Sequence, residues 1–252
     1  MKYLLFILCV LFQPLYADLS KDPMLLSVSP PNATPQIAVS KSGKAIAVWT
    51  NSSSQGQIAI QARYFTGNSW ISLTSEPTTQ TKTIPTIAYG SAPKAVIDGL
   101  GNAIIVFVKP NNQIFGVYIP IPTIVTTSVT PISTQTPAFY TLLSDVNTLN
   151  NSPTISSNIS PTIAIADDGT AIAVWIQNIP FQVLFRFFVP SIPGRVAQWL
   201  PFYPNPLFIP TTAQPTGTYP ASLGLDNSKI GTAVWLDGPT GQIISYRFPL
   251  PP

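Results

Sequence analysis

The stretch P-T-I-A-I-A-D-D-G-T-A-I-A-V-W, from Pro161 to Trp175, recurs in four versions along the chain. P-Q-I-A-V-S-K-S-G-K-A-I-A-V-W runs from Pro35 to Trp49, and P-K-A-V-I-D-G-L-G-N-A-I-I-V-F from Pro93 to Phe107. The fourth version, P-A-S-L-G-L-D-N-S-K-I-G-T-A-V-W from Pro220 to Trp235, is one residue longer. In the first three a glycine (Gly43, Gly101, Gly169) follows the proline by eight residues and precedes the aromatic by six. Agreement at two fixed offsets in three copies marks an internal repeat. Starts at 35, 93, 161 and 220 give spacings of 58, 68 and 59 residues.

Each copy reads as short strands divided by turns. Ile37-Ala38-Val39 and Ala45-Ile46-Ala47-Val48-Trp49 flank Ser-Lys-Ser-Gly, a hairpin signal in which Gly43 supplies a positive φ. The second run is apolar at every position, so both faces of that strand must be covered. Gln57 to Phe65 predicts a third strand, and Trp70-Ile71-Ser72-Leu73 a fourth. A further echo follows each aromatic: Gln57-Ile58, Gln113-Ile114, Gln182-Val183 and Gln242-Ile243. Basic-aromatic pairs recur at Arg63-Tyr64, Arg186-Phe187 and Arg247-Phe248, with Val117-Tyr118 in the second copy. No stretch after residue 17 carries a sustained helical period with caps, so little helix is expected.

Four short antiparallel strands per unit of about 60 residues, covered on both faces, describe propeller blades. The units resemble the repeats of exported bacterial β-propeller proteins, whose blades open with P-x-[IV]-A-[IV]-x-x-x-G-x-A-x-A-V-W. The resemblance spans most of residues 35–248 and implies an extracytoplasmic all-β propeller, commonly a binding or scaffold module. Its motifs specify a fold and no chemistry. The expected architecture is a single domain over 18–252 with four blades, the fourth copy being irregular at its turn. Met24-Leu25-Leu26-Ser27-Val28 resembles Thr141-Leu142-Leu143-Ser144-Asp145-Val146 and offers an outer strand to complete the fourth blade. That arrangement removes exposed edges, and a monomeric closed ring is favoured over a dimer. The region 120–160 reads as an extended loop bearing an outer strand, and the proline-rich run 190–220 as extended surface chain.

Residues 1–17, MKYLLFILCVLFQPLYA, have Lys2, an apolar run to Phe12 and Ala17 at a small-residue cleavage position. They read as a signal peptide, which implies export to the periplasm, cell surface or medium. The run is too short to span a bilayer. Cys9 is the chain's one cysteine and lies in that leader, so the expected mature chain has no thiol chemistry. Charged residues are 8% of the chain, hydrophobic ones 45%, and the formal net charge is +3. No basic run accompanies that charge, so a nucleic-acid partner is not expected.

Histidine is absent, which removes every mechanism built on imidazole, from the catalytic triad to the usual zinc site. Arg63, Arg186 and Arg247 suggest the carboxylate grip of sialidases, but equivalent repeat positions would scatter them around an axis. Asp167-Asp168-Gly169, Asp98-Gly99, Asp226-Asn227 and Asp237-Gly238 have the composition of tight turns rather than of a calcium loop. Trp49, Phe107, Trp175 and Trp235 share one repeat position and read as inter-unit packing, whereas Trp70 and Trp199 are freer to be exposed. The resulting expectation names no catalytic, cofactor-binding or metal-ligating residue and no cofactor. It is an exported binding or scaffold module for a glycan or protein partner. A glycan-processing hydrolase using Asp98, Asp145, Asp167 or Asp226 is the first alternative, and an outer-membrane barrel the second.

Overall fold

A computed structural model describes residues 35–52, 56–73, 86–110, 112–120, 123–127, 130–134, 139–142, 158–178, 181–190, 197–200 and 221–250. The leader 1–17, the segment 24–28, Asp145 and the run 201–220 lie outside the described residues. Among the described residues every regular element is a strand and no helix occurs.

The first unit contains β1 (Gln36–Val39), β2 (Ala45–Ser52), β3 (Ile58–Phe65), β4 (Trp70–Ser72) and β5 (Thr86–Tyr89). They form an antiparallel sheet in the order β1-β2-β3-β4, with β5 also paired to β3. The second unit holds β6 (Ser91–Ile97), β7 (Ala103–Val108) and β8 (Ile114–Ile119). A separate hairpin follows, β9 (Thr123–Thr127) with β10 (Thr130–Thr134). Then β11 (Phe139–Leu142) returns to pair with β8, so the outer strand expected near residue 141 is there. The third unit is β12 (Asn158–Ile165), β13 (Ala171–Asn178), β14 (Phe181–Val189) and β15 (Gln198–Trp199), paired in that order. The fourth has three described strands, β16 (Ser222–Leu225), β17 (Ile230–Leu236) and β18 (Ile243–Pro249). Among the described residues the strands therefore divide into five separate sheets, one per repeat and the β9–β10 hairpin, instead of running round one closed sheet as an outer-membrane barrel requires.

Successive sheets pack face to face, and the alternation along each strand decides which side chains meet. Ile46 and Val48 of β2, with Ile60, Ala62 and Tyr64 of β3, cluster with Ala103, Ile105 and Phe107 of β7. On the other face of β7, Ile104 and Val106 cluster with Ala171, Ala173 and Trp175 of β13. Ile172, Val174 and Ile176 in turn cluster with Ala233 and Trp235 of β17. Each junction joins a branched aliphatic face to one that begins with alanine and ends in an aromatic: Ala103 to Phe107, Ala171 to Trp175 and Ala233 to Trp235. β7 and the Ala171–Ile176 part of β13 are buried on both faces, which is why those residues are all apolar. Each valine, isoleucine or phenylalanine among them contributes about 1.5–3 kcal/mol on burial.

The turn after the first strand of each unit has one design. A backbone bond closes it five residues long: Ser40 N to Lys44 O, Asp98 N to Asn102 O, Ala166 N to Thr170 O and Asp226 N to Ile230 O. The fourth position has positive φ in all four, at Gly43 (76°), Gly101 (106°), Gly169 (87°) and Lys229 (62°). The fourth copy is thus regular at its turn, contrary to expectation. Lys229 stands where the others have glycine, six residues before Trp235, and the extra residue falls before β16.

Candidate functional site

The four equivalent turns come together, and Asp167 of the third unit touches the other three. Lys41 of the first unit makes an ion pair with Asp167 Oδ2. Asn227 Nδ2 of the fourth unit donates to the same oxygen at 2.9 Å. From the second unit, Gly99 N donates to the Asp167 carbonyl at 3.3 Å. Beside it, Lys229 Nζ lies 3.2 Å from Asp168 Oδ2. Between the first two units, Lys44 Nζ donates to Leu100 O at 2.8 Å and Tyr64 OH to Gly101 O at 2.7 Å.

Two layers of polarity result. Underneath, Asp98 is 3% exposed and both its oxygens are used within its own turn. Oδ1 accepts from Gly101 N at 2.6 Å and Asn102 N at 2.8 Å, and Oδ2 from Asn102 Nδ2 at 2.7 Å. Burial, reinforced by the Asp98 charge, pushes the Tyr64 hydroxyl up to about 12, and raises that of Tyr118 for the same reasons. Both phenols are therefore neutral and serve as packing groups. Gly169 closes over this carboxylate, and a Cβ there would sit 3.0 Å from Asp98 Oδ2. On the surface above are the exposed pairs Lys41–Asp167 and Lys229–Asp168, with Leu100 64% exposed at the tip of the second turn.

Of the four carboxylates named for a hydrolase, the structure brings Asp98, Asp167 and Asp226 to this one end. Hydrogen bonds from Lys41, then Asn227, hold the Asp167 carboxyl below the usual range. Partial burial raises that of Asp168, but bonds from Thr170 and Lys229 outweigh it and leave it low as well. Asp226 Oδ1 accepts Ile230 N at 2.8 Å, closing its turn as Asp98 closes the second. Asp237 is 3% exposed in another turn, where its Oδ2 accepts from Thr240 N and Thr240 Oγ1.

Strand register settles the other candidates. Arg63 lies opposite Ala47, and Arg186 opposite Ala173, at one repeat position. The residue at that position in the fourth unit is Tyr246, opposite Ala233; Arg247 is opposite Thr232 and so projects from the other face. The apparent third arginine of the series is a one-residue slip in the sequence alignment. Trp49, Phe107, Trp175 and Trp235 are all buried at 3% exposure or less, as expected of packing residues. Trp199, which its sequence context leaves freer to be exposed, is buried too, stacked edge-on to Phe188 and resting on Gly116, where a side chain would meet the indole at 3.0 Å. The convergence of the turns had a sequence signal, the recurrence of turn residues at one repeat position. Which turn residues would pair across units had none.

No family model and no curated protein matches the chain. Among solved structures it is similar to the endo-arabinase from Bacteroides thetaiotaomicron VPI-5482, at 14% identity and a TM-score of 0.38, covering 86% of this chain and 74% of that one. A likeness of that size says nothing here about substrate or activity.

Proposed function

We propose that this chain is an exported, non-catalytic binding or scaffold module that recognises a glycan or protein partner through the turn cluster. The four sheets serve as the blades of a four-bladed propeller. The observation that carries the reading is the state of the carboxylates. Asp98 and Asp226 are engaged in closing their turns, and Asp167 and Asp168 are ion-paired to lysines, so the cluster presents polar groups already tied to one another across units. Four turns presenting Lys41, Leu100, Asp167 and Lys229 side by side make a mixed surface of the kind that binds polar partners.

A glycan array probed with purified protein tests this directly. Specific binding that falls at least tenfold in Lys41→Ala and Leu100→Ala, with the far-ultraviolet circular dichroism spectrum unchanged, places recognition at the turns. These exposed positions are better probes than the repeat tryptophans, whose removal would disturb the core. A blank array turns the search to protein partners by cross-linking from envelope extracts. Release of reducing sugar from any bound glycan would reverse the non-catalytic reading.

A further inference from the structure

Burial alternates along β17, and the alternation runs one residue past the strand: Ala233, Trp235 and Asp237 are buried, Val234 and Leu236 half-buried. Asp237 therefore continues the face that Ala233 and Trp235 turn toward the third sheet. Trp235 is 2% exposed and Asp237 3%. Trp235 Nε1 and Asp237 Oδ1 are both buried, and neither has a hydrogen-bond partner among the described residues. The other carboxylate oxygen, Oδ2, is taken by Thr240, so the unpaired acceptor is one specific atom.

The first unit satisfies the same indole from within its own sheet. Trp49 Nε1 donates to Gln61 Oε1 at 3.0 Å, and Gln61 is its cross-strand neighbour. In the fourth unit that neighbour is Ile244, which has no acceptor to offer. The third-sheet residues of the same cluster, Ile172, Val174, Ile176, Val183 and Phe185, are apolar as well. Neither ion pair among the described residues involves Asp237. Two residues after the aromatic the other units have Asn51, Lys109 and Gln177, so the carboxylate is particular to the fourth. A buried polar atom left unpaired costs about 1–3 kcal/mol, and more when charged, so a donor and an acceptor orphaned together call for an occupant. A hydroxyl meets both needs at once, accepting from the indole and donating to the carboxylate.

We propose that Trp235 Nε1 and Asp237 Oδ1 form a hydroxyl-binding site between the third and fourth sheets. It lies at the end of β17 remote from the turn cluster, since Asp226–Ile230 closes one end of that strand and Asp237 begins the turn at the other. The site is therefore independent of the surface assigned above to partner recognition. Beside it is the turn 238–241, exposed at every residue and held by Gly241 at a φ of 66°. Two sources carry the required group: a trapped water molecule, or a hydroxyl of a sugar or polyol admitted past that turn.

Nuclear magnetic resonance of the isotope-labelled full chain reads the site through the Trp235 indole N–H, assigned by correlation to its own backbone. The expected result is a cross-relaxation peak from that proton to water with the sign of a bound molecule, or a saturable shift of it with glycerol, glucose or galactose. A water peak that none of the three probes disturbs identifies the occupant as trapped water, and a saturable shift identifies a sugar or polyol hydroxyl. Asp237→Ala removes the acceptor and should abolish the signal; Asp237→Leu, closer in size, serves if the alanine variant fails to fold. Thr240→Val loosens the same turn but leaves Asp237 Oδ1 in place, so the signal should persist. Neither a water peak nor a shift in the wild type overturns the proposal. A signal that survives loss of the carboxylate overturns it too, as does one lost equally in Thr240→Val, which would belong to the turn.

Discussion

The strands β13 and β17 carry nearly the same sequence, Ala171-Ile-Ala-Val-Trp175 and Gly231-Thr-Ala-Val-Trp235, yet they have different surroundings. Every residue from Ala171 to Ile176 is buried. Along β17 burial alternates, with Gly231, Ala233 and Trp235 packed against the third sheet and Thr232, Val234 and Leu236 only half-buried. The two strands differ in having a neighbour on both sides or on one. Strand β2 of the first sheet is buried from Ala45 to Thr50 like β13, so the half-open face belongs to the fourth sheet alone of these three. The residue type follows burial only in part, since Thr232 is polar where the third unit has Ile172, but Ile243 is as apolar as its buried counterparts.

Substitutions at matched positions break or sharpen this contrast. The largest effect should come from Trp175→Ala, at a site with 0% exposure, costing about 3–5 kcal/mol in urea unfolding. Ile60→Ala should cost about 2–5 kcal/mol, while Ile243→Ala at the same repeat position should stay within about 0.5 kcal/mol. Equal losses at the two would mean that the fourth sheet is covered after all.

Turn substitutions form the next tier. Asp98→Ala leaves the N–H groups of Gly101 and Asn102 without their acceptor and should cost about 1–3 kcal/mol. At the shared left-handed position, Gly169→Ala and Lys229→Gly should have opposite signs. Alanine at Gly169 meets φ +87° and the Asp98 carboxylate, while glycine at Lys229 relieves a φ of +62° and should gain up to about 1 kcal/mol, less whatever the pair with Asp168 contributes.

The smallest effect is electrostatic. The Asp167 carboxyl is held below its ordinary value of 3.8 in the folded chain. Its contribution to stability is therefore present above that value and lost as pH falls through the lower, folded one. Melting temperature followed from pH 5 downward should drop less steeply in Asp167→Asn than in the wild type. Because the pair is exposed, added salt should narrow the difference.

Much of the fold was legible in the residues themselves. Proline, glycine and aromatic at constant offsets marked four units, and uninterrupted apolar runs such as Ala45–Trp49 announced strands covered on both faces. A local pattern misleads where it is degenerate. Lys229 has the left-handed conformation that the other copies assign to glycine, so alignment by glycine placed the irregularity in the turn. Arg247 resembles Arg63 and Arg186 by its aromatic neighbour, and only hydrogen-bond register shows that it faces the other way. Proline-rich flanks made Trp199 look exposed, although Gly116 on a strand far away in sequence leaves the space its ring fills.

What the sequence determined by itself is what depends on neighbours along the chain: strand periods, turn chemistry, the absence of imidazole, and the repeat. The meeting of Lys41, Gly99, Asp167 and Asn227 was decided only in three dimensions, because it needs four turns from distant units brought to one end. So was the exposure of Ile37, Val39 and Ile243, because residues as apolar at the same repeat positions, Ile163, Ile97 and Ile60, are buried and only the packing around each unit distinguishes them.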